Sequence, residues 1–273
     1  MRLLVSVANR ADAAAALEGG ADIIDAKDPR IGALGAVSIH ALGDIHAEVA
    51  GERPVTAALG DDLDGTALES TAKAFTTAGA ALVKVGFADP GDFARIEMLI
   101  ESAVRGVRAA NALEKGVIAV AYADRAPGSD RWSRDFVETA ARAGAAGVLL
   151  DTGDKGSAGL RTLVSKAFLE AWVRHAHDSG LTVALAGKLT TDDLPFVRDV
   201  GADIAGVRGA ACDQGRTGRI VAEKVRLLQE GCGPVPVVSI SVVPTSLAPT
   251  SLARAASRAP ATSRELLIFK AAV

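Results

Sequence analysis

One pattern recurs along this chain: a hinge of small residues, then a short apolar run. It reads GGADIIDAK (19–27), AGAALVKVG (78–86), AGAAGVLLD (143–151) and VGADIAGVRG (200–209). In each, a glycine stands where a helix would end, and a strand opens two or three residues later. Related junctions occur at ERPVTAALG (52–60), EKGVIAVAYAD (114–124) and DSGLTVALAG (178–187), and LLVSV (3–7) adds a first strand. Between these eight strands, apolar residues at three- and four-residue spacing predict helices over 10–19, 38–50, 65–79, 90–112, 130–144, 159–179, 191–200 and 215–229. Eight alternations in about 230 residues match an α/β fold of the (β/α)8, or TIM, barrel type. Alternation also fits a doubly wound open sheet. Against that alternative, no G-x-G-x-x-G follows the first strand, and eight units is the number that closes.

Composition agrees with helices packed on a parallel sheet. Hydrophobic residues make up 49% and aromatics only 4%, so Ala, Val, Leu and Ile must fill the core. The net charge is −3 with cations scattered, which argues against a nucleic-acid or anionic-membrane surface. Two cysteines, Cys212 and Cys232, do not make a disulfide framework, so a reducing cytoplasm is expected. The apolar start of MRLLVSVANRADAA is too short for a signal peptide, and no run approaches the roughly 20 apolar residues that span a bilayer. Residues 1–230 are therefore expected to form one catalytic domain. The segment 231–273 carries five of the ten prolines with many Ser, Thr and Ala, and reads as a largely irregular C-terminal extension, with VVSISVV (237–243) able to pair as an edge strand.

Chemistry enters through the lysines. There are nine against twenty-one arginines, so arginine is the ordinary surface cation, yet Lys27, Lys84, Lys155 and Lys188 fall at or just past strand C-termini. That end of a barrel is where active sites are built, and only an amine can shed its proton and attack a carbonyl. Strand alternation places Asp25 and Lys27 on the face opposite Ile24 and Ala26, and Lys84 opposite Val83 and Val85. Asp151 continues the face of Gly147 and Leu149, and Lys155 follows four residues later. The inward set is thus Asp25, Lys27, Lys84 and Asp151, with Lys155 in the adjoining loop. The bland reading is an ion-pair network that plugs the barrel; two inward lysines beside two inward aspartates favour chemistry. Crowded amines in a desolvated site have lowered pKa values, which makes a Schiff-base lysine nucleophilic.

Barrels of this type often hold phosphate on the loops after strands seven and eight. Here those loops read ALAGKLT (184–190) and GVRGAACDQGR (206–216). Gly187, Gly209 and Ala210 would present backbone N–H groups, with Lys188 and Arg208 adding charge. The loop PRIGALG (29–35) is placed to fold over a ligand. Asp124 closes strand five and either orients a lysine or serves as a loop or helix-cap charge. The histidines, at 40, 46, 175 and 177, lie in predicted helices without metal-ligand spacing, and Cys212 reads as packing. Neither a metal nor a cofactor is called for.

Taken together, GGADIIDAKDPRIGALGA (19–36), VKVG (83–86), AYAD (121–124), LLDT…K (149–155), ALAG (184–187) and GADIAGVRGAAC (201–212) resemble the (5-formylfuran-3-yl)methyl phosphate synthase family over residues 1 to about 230. The resemblance implies a barrel enzyme that condenses two molecules of glyceraldehyde 3-phosphate into 4-(hydroxymethyl)-2-furancarboxaldehyde phosphate for methanofuran-type cofactors. It implies Lys27 as the Schiff-base residue, Lys84 as proton acceptor, and Asp25, Asp151 and Lys155 as supporting residues. Lys188 departs from the small polar residue expected there, and 231–273 has no counterpart in the family. A small phosphorylated aldehyde is the expected partner, in a cytoplasmic homo-oligomer. The competing readings are another Schiff-base barrel of the class I aldolase kind, and a sugar-phosphate-binding barrel without turnover.

Overall fold

The computed structural model describes residues 1–233, apart from Asp62, Ala88, Ala112, Leu113, Pro127 and Ser157. The segment 234–273, including VVSISVV, lies outside the described residues. Eight parallel strands close into a barrel in sequence order: β1 (Arg2–Val7), β2 (Ile23–Ala26), β3 (Val55–Ala58), β4 (Leu82–Gly86), β5 (Gly116–Tyr122), β6 (Gly147–Asp151), β7 (Thr182–Leu185) and β8 (Ile204–Val207), with β8 pairing back onto β1. The expected (β/α)8 barrel is the observed one.

The hinge glycines explain the repeat. Gly20, Gly79, Gly144 and Gly201 all have φ between 84° and 110°, a conformation that ends a helix and turns the chain back toward the sheet without a Cβ penalty. Polar caps start the helices: Asn9, Ser38, Asp64, Asp92, Ser129 and Ser165 each accept a backbone N–H through the side chain. The helices are α1 (Arg10–Glu18), α2 (Ile39–Val49), α3 (Gly65–Thr77), α4 (Phe93–Ala109), α5 (Asp130–Arg142), α6 (Leu160–Leu163), α7 (Lys166–Asp178), α8 (Leu194–Asp199) and α9 (Ala222–Cys232).

Three helical expectations are corrected. The stretch 159–179 breaks into α6 and α7, because Val164 is extended and Ser165 caps a new helix through Phe168 N. The stretch 191–200 opens with a 3-10 turn, Thr191–Asp193, before α8. The last helix begins at Ala222 rather than 215. Residues 213–219 instead form a loop in which Asp213 accepts the Arg219 N–H and Gly215 has φ 72°. That helix runs to Cys232, beyond the expected domain end at 230.

Alternation along each strand divides the core in two. Ile24, Ala26, Val83, Val85, Val148 and Leu150 pack outward against the helices. Leu4, Ile23, Leu82, Ile118, Val120, Leu149, Ala184 and Ile204 fill the lumen. The apolar plug closes the lumen toward the strand N-termini, so the polar residues at the C-terminal mouth sit on a dry floor. Among the described residues, no helix is long and apolar enough to cross a membrane.

Candidate active site

The mouth of the barrel is built by strand parity and register. Asp25 on β2 faces inward, fully buried, with Ser6 of β1 and Thr56 of β3 opposite it in the ladders. Both hydroxyls donate to its carboxylate, Ser6 Oγ at 2.9 Å and Thr56 Oγ1 at 2.7 Å. Lys84 on β4, also buried, puts Nζ 2.5 Å from Asp25 Oδ2. Burial would push the Asp25 carboxyl up, but the charges of Lys84 and Lys27 and the hydrogen bonds from Lys84 and Thr56 outweigh it and hold Asp25 below the usual carboxylate range.

Across the lumen, Asp151 at the end of β6 accepts Lys155 Nζ at 2.7 Å and the Thr152 N–H at 2.7 Å. Lys155 also donates to the Thr152 carbonyl. Burial would raise the Asp151 carboxyl too, and the Lys155 and Lys27 charges reverse the shift. Asp124 settles between its two readings: it accepts the N–H groups of Gly153 and Asp154, each at 2.7 Å, and so anchors the loop that carries Lys155 instead of touching a lysine.

Lys27 lies between these two pairs. It is 8% exposed, and among the described residues no group hydrogen-bonds to its amine or comes within ion-pair distance of it. Burial pushes the amine down and the neighbouring Lys84 charge adds to that; Asp151 and Asp25 pull only partly the other way, leaving it at about 8. A partly deprotonated amine beside two carboxylate–ammonium pairs can add to a carbonyl and pass protons to groups already in place.

The phosphate candidates divide. Gly209 and Ala210 stand at the rim. Gly187, at φ 113°, has no room for a Cβ beside Thr152 and Leu160, and its carbonyl accepts the Leu160 N–H, tying the β7 loop to the β6 loop. Lys188 is exposed at φ 57°. Arg208 is held by the protein around it. Its guanidinium is buried and committed to the protein: Nη1 donates to Ser6 O (2.8 Å) and Asp12 Oδ2 (3.2 Å), Nε to Arg216 O (2.7 Å) and Nη2 to Gly218 O (3.2 Å). It clamps β1, β8 and the 213–219 loop together. A further cation is Arg216, half-buried, which reaches across the mouth to the Gly32 carbonyl and lies in the field of Asp151.

The loop 29–35 does cover part of the mouth: a 3-10 turn, Pro29–Ile31, is followed by Ala33 and Leu34, buried with the lumen residues. Cys212 is buried, as packing requires, and burial raises its thiol. His177 contacts Asp203 at 3.0 Å, a tie between α7 and the start of β8. No group of metal-ligating side chains gathers among the described residues.

Ser6, Thr56, Thr152, Arg216, Tyr122 and Asp61 escaped the sequence reading. Ser6, Thr56 and Tyr122 share the inward parity of their strands, a signal available in LLVSV, PVTAA and VIAVAY. Asp61, Thr152 and Arg216 are loop residues that no periodicity marks.

Comparison with known proteins gives the same picture from another side. Residues 3–229 match the model of a family described as 4-HFC-P synthase. A Methanopyrus kandleri protein named (5-formylfuran-3-yl)methyl phosphate synthase is 37% identical over 237 residues, covering 84% of this chain and 98% of its own. Proteins of the same name from Methanosarcina barkeri and Methanocaldococcus jannaschii are each 35% identical, covering 85% of this chain and 99% and 100% of theirs. Among solved structures, 3-hexulose-6-phosphate synthase superposes with TM-score 0.57 at 22% identity (85% of this chain, 99% of that one). KGPDC from Streptococcus mutans superposes with 0.61 at 15% (86% and 98%). At those identities the structures bear on the barrel alone; the sequence matches carry the assignment, and they show that this chain belongs to the 4-HFC-P synthase family of enzymes.

Proposed function

We propose that this enzyme condenses two molecules of glyceraldehyde 3-phosphate to 4-(hydroxymethyl)-2-furancarboxaldehyde phosphate, releasing one phosphate and two waters, as a step toward a methanofuran-type cofactor. The observation that carries the reading is the Lys27 amine: buried, without a direct partner among the described residues, at about 8, between the Asp25–Lys84 and Asp151–Lys155 pairs.

Lys27 adds to the aldehyde carbon of one substrate; loss of water leaves an iminium, an electron sink for the adjacent carbon. Lys84, once it has passed a proton to Asp25 and become a free amine, takes the proton from that carbon, and the electron pair expels the β-phosphate or attacks the second aldehyde. Asp151 and Lys155 return protons to departing oxygens. The retained phosphate rests on the rim at Gly187, Lys188, Arg208, Gly209 and Ala210, with Arg216 as a further cation. Substrates of this size and charge suit a cytoplasmic homo-oligomer needing neither metal nor cofactor.

The test is incubation with glyceraldehyde 3-phosphate, borohydride reduction and peptide mass spectrometry, with the furan aldehyde followed by its absorbance. A reduced adduct on Lys27 together with furan formation supports the proposal. An aldol sugar in place of the furan assigns an aldolase; binding without adduct, unchanged in Lys27→Ala, assigns a binding protein.

A further inference from the structure

The lysine–carboxylate cluster leaves one buried polar pair at the mouth unused. Tyr122, the only tyrosine of the chain, ends β5 with its side chain inward and 1% exposed. Its hydroxyl donates to Asp61, in the loop after β3. The pair sits above the inward face of β4: a Cβ on Gly86, two residues beyond Lys84, would collide with Asp61 Oδ1, the Tyr122 hydroxyl and Leu34 Cδ1. Tyr122 is also opposite Asp151 in the β5–β6 ladder, and the Arg125 guanidinium covers its ring at 5.1 Å from the centroid. The pair therefore lies beside both ion pairs, in space that only glycine at 86 leaves open.

We infer that Tyr122 and Asp61 form a second acid–base unit of this site, serving the oxygen atoms of the substrate while the lysines serve its carbons. The inference rests on the proposed condensation, which demands it: closing a five-membered oxygen ring and losing water move protons on and off hydroxyl groups, not carbons. Because Tyr122 gives its proton to Asp61, the phenol oxygen keeps lone pairs for a substrate hydroxyl. As that hydroxyl oxygen bonds to a carbonyl carbon, its proton passes to Tyr122 and the Tyr122 proton passes to Asp61. The carbonyl π pair becomes a new hydroxyl, protonated from Lys155. Running backwards, Asp61 through Tyr122 supplies the proton on the hydroxyl that departs as water, while the neighbouring C–H pair becomes the ring C=C and its proton returns to the Lys155 amine, so both groups end as they began. Burial and the Asp61 charge push the phenol far above its ordinary value, so Tyr122 holds its proton between turnovers. Tyr122 is the catalytic residue of the pair and Asp61 the positioning residue that stores the proton.

The test uses Tyr122→Phe, which keeps the ring, and Asp61→Asn, which keeps a hydrogen-bond acceptor but cannot hold the proton. Both are expected to form the borohydride-trapped Lys27 adduct at the wild-type rate, while furan formation falls roughly 100-fold and the trapped adduct is an open-chain species by mass. Furan formation within about threefold of wild type in either variant overturns the inference, because removing an acid–base group costs more than that. Adduct and furan lost together in both variants also overturns it, assigning the pair to the shape of the pocket. Neither adduct nor furan from the wild type refutes the condensation itself, and this inference with it.

Discussion

The environment of Lys27 makes a prediction that can be read without knowing the product. An ordinary lysine at 10.5 is about 0.03% free amine at pH 7; at about 8, Lys27 is roughly 10% free, a gain near 300-fold. Trapping of an aldehyde on Lys27 by cyanoborohydride should therefore rise about tenfold per pH unit from 6 to 7, bend near 8, and be flat above 9. Lys84→Met removes a like charge, so the midpoint should move upward and the rate at pH 7 fall. Stability follows with a definite sign. Since the folded value lies below the unfolded one, Lys27 is charged in both states below about pH 8 and its burial is there a net cost, roughly 3 kcal/mol. That cost is relieved as pH rises from 8 toward 10.5, so Lys27→Met should stabilise the protein against urea at pH 7 and much less at pH 10. A trapping rate still climbing tenfold between pH 9 and 10, or a Lys84→Met midpoint shifted down, would refute the argument that burial and like charge govern this amine.

Two further outcomes follow from the ion pairs. Asp25→Asn leaves Lys84 buried without its carboxylate and should lose about 3–5 kcal/mol in urea denaturation, with the deficit shrinking at low pH, where wild-type Asp25 itself becomes protonated and loses its contribution. Arg208 and Arg216 should separate: Arg208→Ala strands Asp12 and lowers stability by about 3–5 kcal/mol. Arg216→Ala should melt close to wild type while KM for the phosphorylated aldehyde rises roughly tenfold, the loss of one charged hydrogen bond; equal melting losses for the two variants would sink the distinction.

Much of this site was written in one dimension. Period-two alternation alone turns Asp25, Lys27, Lys84 and Asp151 to one side of their strands, and a repeat that closes at eight makes that side a lumen. Hinge glycines such as Gly79 and Gly144 mark where each unit ends, because their backbone conformation is accessible chiefly to glycine. What alternation cannot express is proximity between strands. Lys155 meets Asp151 four residues away, but that Lys84 pairs with Asp25 depends on ladder register and barrel stagger, which bring together residues 59 positions apart. Loops obey no period at all. The place of Arg208 after β8 was legible, but only folding of 213–219 against α1 surrounds its guanidinium with Asp12 and three backbone carbonyls, partners that a buried cation must take. Asp61 acquires a role only because the β3 loop drops it over Gly86 onto Tyr122. Local chemistry chose the elements and their inward faces; which charges meet was left to closure of the barrel, since the energies of those contacts exist only once the strands are side by side.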